Sequence, residues 1–68
     1  MMMDLRQAIF QRLQNKNESE LHEIITDSIN NDERTLPGLG VIFELIWKKS
    51  DEQTQNLLIS TLESNLPQ

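Results

Sequence analysis

Sixty-eight residues carry a net charge of −5, no cysteine and one histidine. A chain of this length holds one small domain, over 1–68, and its composition rules out a disulfide staple, a structural zinc site and the basic footprint that phosphate binding requires. The apolar fraction of 37% suffices for one shallow core, built from packed helices or completed by a partner.

From Asp4 the apolar residues Leu5, Ala8, Ile9 and Leu13 recur at helical spacing, which predicts a first helix over 4–14 behind a disordered 1–3. Asp4 and Gln7 form a capping-box pattern, and Gln14-Asn15-Lys16-Asn17 breaks the run. Asn17, followed by Glu18 and Glu20, starts a second helix over 18–30, with Leu21, Ile24, Ile25 and Ile29 inward and the acids turned to water. Residues 30–37 are the longest link, and Pro37 biases Leu36 away from helical geometry.

Beyond it Leu39, Val41, Ile42, Phe43, Leu45, Ile46 and Trp47 make a third helix, over 37–48, apolar around roughly 240° of its circumference at 100° per residue. A strand can be written for 41–47. The helix is preferred because Pro37 suits a first turn, Lys48 and Lys49 suit a C-terminus, and Glu44 lies alone on the polar side. Ser50 with Gln53 repeats the capping-box pattern and opens a fourth helix over 51–65, with Leu57, Leu58, Leu62 and Leu66 inward.

The first half matches the second in pattern at an offset of 33 residues: Ala8, Ile9, Phe10 and Leu13 align with Val41, Ile42, Phe43 and Ile46. The fold class expected is therefore all-α, four short helices arranged as two αα-hairpins in a small bundle. Charge divides in step, with +2 over 1–17, −6 over 18–33, +2 over 34–49 and −3 over 50–68. That pattern favours contact between basic and acidic helices.

No residue constellation carries catalysis. Gly38 and Gly40 lack the third glycine and preceding strand of a dinucleotide site and read as a turn with close helix packing. His22 has no second ligand. Ser28, Ser60 and Thr61 sit where a hydroxyl bonds back to the carbonyl one turn earlier, and Glu18, Glu20, Glu23 and Asp27 form a solvated face. Arg6, Arg12 and Lys16 form no stripe, and Lys48-Lys49 beside Trp47 match a helix C-terminus better than a base-stacking platform. The expectations are no enzyme activity, no cofactor or metal, no small-molecule substrate and no specific nucleic acid. No apolar run reaches the about 18 residues that cross a bilayer, and the N-terminus lacks the pattern of a secretory signal, so no membrane is expected and the protein stays where it is made.

The informative feature is the excess apolar surface of the third helix. In a four-helix bundle it implies either a central helix or an interface between chains. Phe10 and Ile59 fall off the main stripes of their own helices and add to it. Phe10, Val41, Leu45 and Trp47 are the candidate protein-interaction face, for a homodimer or another protein. Trp47 is expected to be largely removed from water.

Leu36-Pro37-Gly38-Leu39-Gly40-Val41-Ile42-Phe43-Glu44-Leu45-Ile46-Trp47-Lys48 closely resembles the I-type small acid-soluble spore proteins of endospore-forming bacteria. Met3-Asp4-Leu5-Arg6-Gln7-Ala8-Ile9 and Thr61-Leu62-Glu63 resemble that family too. Met1 and Met2 precede its start, leaving Met1 or Met3 as the first residue translated. The resemblance implies a minor protein made in the forespore and kept in the spore core. It does not imply the DNA coating of the α/β-type spore proteins, and it supplies no catalytic or ligand residues. The alternative is a small homodimeric adaptor of the vegetative cytoplasm that holds a partner helix.

Overall fold

The computed structural model describes residues 4–67, so the expectations for 1–3 lie outside it. Four helices follow one another: α1 (Leu5–Leu13), α2 (Glu18–Ile29), α3 (Leu36–Lys49) and α4 (Glu52–Ser64), with a 3-10 turn at Glu33–Thr35 before α3. The all-α reading holds, and 41–47, where a strand could be written, are helical.

Local chemistry sets most of the ends. Asp4 accepts from the Gln7 N–H at 2.8 Å while the Gln7 side chain accepts from the Asp4 N–H at 3.3 Å, and Asn17 and Glu20 repeat this at 2.8 and 3.2 Å. Each box satisfies two donors that a helix start leaves orphaned. Asn15, at φ 64°, takes the left-handed conformation that asparagine tolerates and turns the chain out of α1.

Two boundary expectations are corrected. Leu36 is helical, at φ −61° and ψ −42°, despite preceding Pro37. Asp32 caps the 3-10 turn through the Arg34 N–H at 2.9 Å, and the Thr35 hydroxyl donates to Ser28 O at 2.6 Å and Asp32 O at 2.9 Å. The turn thus delivers the chain to α3 already wound, with Pro37 in the first turn, where its missing N–H costs nothing. At α4 the cap is Asp51, accepting from the Thr54 N–H at 2.8 Å, one residue after the expected Ser50. Ser50 instead closes α3, its hydroxyl donating to Ile46 O at 2.5 Å.

Within the bundle α3 is central. Its packing against α1 and against α2 exceeds that of α1 on α2 and of α3 on α4. The side of α3 that faces them carries Gly38, Val41 and Ile42. Val41 is the core residue, 8% exposed. At Gly38 an added Cβ would lie 3.1 Å from Ile9 Cδ1, so the missing side chain is what lets α1 approach; Gly40 has open space around it. The Arg6 guanidinium clamps Glu44 with two bonds, Nε to Oε1 at 2.7 Å and NH2 to Oε2 at 2.8 Å. This pair joins two mildly basic helices, so the segmental charge pattern does not describe the contact.

The inward stripes are only partly covered. Leu21, Ile24 and Ile25 of α2 are half-buried, but Ile29 is 64% exposed because α2 ends beyond its contact with α3. Leu5 is exposed at the start of α1. On α4 Leu58 is half-buried, while Leu57, Leu62 and Leu66 face water. The Cα radius of gyration is 13.5 Å, against about 11 Å for a compact chain of this length.

Candidate functional site

The four residues of the candidate interaction face do not share one environment. Val41 is buried between α3 and its neighbours, so it is a packing residue and no part of an open face. Half-buried Phe10 and more exposed Leu45 meet across α1 and α3, lining with Leu13 and Gln14 an open hollow of about 330 Å³. Trp47 lies further along α3, tilted 34° against Phe43 with ring centroids 5.9 Å apart. It is half-buried, less enclosed than expected, because the helix it would need above it, α4, leaves the corner at Ser50. There the Gln55 side chain donates to Trp47 O at 2.9 Å.

The larger open surface lies on the side of α3 turned away from α1 and α2. Leu36 and Phe43 project there, Phe43 at 51% exposure, with half-buried Leu39 and Trp47 beside them and Ile46, 40% exposed, at the edge toward Ile42. The sequence contains the signal: Phe43 lies across the 100° wheel from Gly38 and Val41. Val41, Leu45 and Trp47 are members of the arc by residue type, but only the neighbours of α3 decide which part of it stays open.

The chemistry-bearing residues are occupied or dispersed. The hydroxyls of Ser28 and Thr61 donate to the carbonyls of Ile24 and Leu57 at 2.8 and 2.9 Å; Ser60 is exposed. His22 is exposed, with its carbonyl accepting from the Thr26 hydroxyl at 3.0 Å. Arg34 donates to Asp32, NH2 to Oδ2 at 2.6 Å, and holds that carboxyl below its usual range, with its backbone N–H adding to the effect. The hydrogen bond from Arg6 pulls Glu44 down to about 2, with the charges of Arg6 and Lys48 contributing. The Thr54 N–H lowers Asp51 as a helix cap does. Among the described residues no group of three or more His, Cys, Asp or Glu side chains is placed to hold a metal, and no helix is long and apolar enough to cross a membrane.

One cleft lies where α1, α2 and the start of α3 meet, floored by Ile9, Leu13, Ile24 and Ile42 with Arg12 and Arg34 at its mouth. Its volume of about 170 Å³ is below the roughly 300–1,000 Å³ of small-molecule pockets. It separates the ends of three short helices rather than enclosing a ligand. What the described residues leave open is chiefly apolar surface.

Comparison with known proteins gives the family. The sequence pattern of the family described as small, acid-soluble spore protein I matches residues 3–66. This chain belongs to that family. A small, acid-soluble spore protein I of Geobacillus sp. (strain WCH70) is 42% identical over 67 residues, covering 97% of this chain and 94% of the relative. One from Bacillus mycoides (strain KBAB4) is 40% identical over 67 residues and covers 97% of both chains; the protein of that description from Bacillus anthracis (strain CDC 684 / NRRL 3495) has the same identity and coverage. No solved structure matches. The chain is thus a sporulation-related spore protein, and the family is not one of known enzymes.

Proposed function

We propose that this chain is a minor, non-enzymatic protein of the spore core, made in the forespore during sporulation. The observation that carries the reading is its 42% identity, over 97% of the chain, to a protein named for spores. The side-chain chemistry agrees with it: two of the three candidate nucleophilic hydroxyls donate to their own helices, and Arg6 and Arg34 are paired with Glu44 and Asp32. What the fold leaves open is apolar, which suits association with protein rather than turnover of a substrate.

In this reading the chain is not a coat for nucleic acid. With a net charge of −5 and Arg6 and Arg34 engaged by carboxylates, binding to duplex DNA at physiological salt is weaker than about 10⁻⁴ M, the weak end of non-specific affinity. Micromolar, salt-sensitive retention of DNA on a filter would contradict that.

The test of place and time is a translational fusion of the full chain to a fluorescent reporter at its own locus. Signal that begins only after engulfment, inside the forespore, and persists in the core of the purified spore is the expected result. Steady signal in growing cells would overturn it in favour of an adaptor of the vegetative cytoplasm.

A further inference from the structure

The folded chain exposes more surface than its mass requires. Its accessible area is 6156 Å², against roughly 4,400 Å² for a compact monomer of 7.9 kDa. Allowing residues 1–3 and 68 the area of a fully extended chain, about 760 Å², leaves an excess of about 1,000 Å². That exceeds the about 800 Å² that each partner contributes to a standard stable interface.

The excess has a location. Leu36 and Phe43 stand on the outer side of α3 with Ile46 at its edge, and Ile59, Leu62 and Leu66 on and just beyond α4. On α3 the run from Leu36 to Trp47 contains one charge, Glu44, and Arg6 of α1 engages it. A helix face meant for water would carry charges along its length. On α4 the stripe begins under cover at Gln55 and Leu58 and runs on, uncovered, to Leu62 at 56% exposure. Lys48 and Lys49 end α3 while Glu52 and Glu63 lie on α4, so the two helices carry charges of opposite sign.

We infer that a second copy of this chain docks on this surface, the outer face of α3 and the open stripe of α4 in each copy packing on those of the other. The area available, the apolar composition and the opposite charges of α3 and α4 all fit a two-fold interface in which one patch serves both partners. The dimer goes beyond the proposed spore function and stands or falls separately from it.

Sedimentation equilibrium of the full chain over a dilution series tests the stoichiometry. The expected mass is that of two chains, falling toward one on dilution, with a melting temperature that rises with concentration. Mixing isotope-labelled with unlabelled protein tests the face: intermolecular NOEs are expected at Phe43 and Leu62. Phe43→Lys is expected to leave the mass of one chain, and Leu57→Lys, across α4 from the stripe, to leave the dimer intact. Should Phe43→Lys fail to fold, the NOEs of the unmodified protein decide the face. A wild-type mass of one chain at every concentration, or intermolecular NOEs confined to α1 and α2, overturns the inference.

Discussion

The two sides of α3 are built from the same kinds of residue and end in opposite environments. On one side Gly38, Val41 and Ile42 receive α1 and α2, and Val41 is removed from water. On the other Leu36 and Phe43 are as apolar and remain open. Composition therefore does not distinguish packing surface from contact surface in a helix this apolar. What distinguishes them is a neighbour that approaches closely at Gly38 and an ion pair, Arg6 with Glu44, which fixes the orientation of that neighbour. The outer side has a glycine too, Gly40, but open space around it.

The largest effect should come from placing charge on each side in turn. Val41→Asp puts a carboxylate into the one buried core position among the described residues, where an unpaired charge costs more than a domain of this size has to spare. Loss of the helical circular dichroism at all concentrations is expected. Phe43→Asp should leave a dilute chain folded, since surface changes shift stability by about 0.5 kcal/mol or less. Equal loss of structure from both would erase the distinction between the two sides.

Trp47 sits at the border between them. Half-buried, it should cost about 2 kcal/mol when truncated to alanine, below the roughly 3–5 kcal/mol of a fully buried aromatic. Urea denaturation would measure this, and Trp47 emission in the dilute protein should lie between the buried and solvated extremes. A cost at or above the full-burial range would mean that Trp47 is covered within one chain.

Much of this was legible in the sequence, and the parts that were not share a cause. The caps at Asp4 and Asn17 depend on residues three apart and could be read directly. Ser50 was misassigned because Asp51 beside it offers a stronger acceptor, leaving the serine free to bond back to Ile46. The helical state of Leu36 depends on Thr35 reaching Ser28, seven residues back. The Arg6–Glu44 clamp spans 38 residues, and charge counts by segment point away from it. Periodicity correctly grouped Leu58 with Leu62, but whether a stripe is covered depends on where its neighbour ends, and α4 extends past α3. For the same reason Val41 was placed on the candidate contact face while Phe43 and Ile46 were not.

Smaller effects sharpen the role of the glycines. Gly40→Ala should stabilise the chain by up to about 1 kcal/mol, the helix-propensity gain of alanine, because nothing stands near the new methyl. Gly38→Ala receives the same gain but must displace Ile9 Cδ1 from 3.1 Å, so its thermal midpoint should fall below that of Gly40→Ala. The reverse order would remove Gly38 as the point of close approach between α1 and α3.

The clamp gives a pH signature. Arg6 lowers Glu44 from its ordinary 4.5 to about 2, so the stability it contributes is present above pH 4.5 and is lost as pH falls from there toward 2. Asp32 and Asp51 are lowered as well and give the wild type a further acid dependence. Glu44→Gln should therefore flatten the melting profile below pH 4.5 only in part, and leave its form above that pH unchanged. An unaltered acid limb would mean that the clamp does not form in solution.

Amide hydrogen exchange at two protein concentrations tests the central distinction most directly, because it reports opening of each helix separately. The account predicts that the amides around Val41 and Ile42 in α3 are the slowest in dilute solution. Those of Leu58 to Leu62 in α4 should exchange rapidly there and become protected only as the concentration rises. Protection of α4 equal to that of α3 in the dilute protein would contradict it, since α4 would then be packed within a single chain.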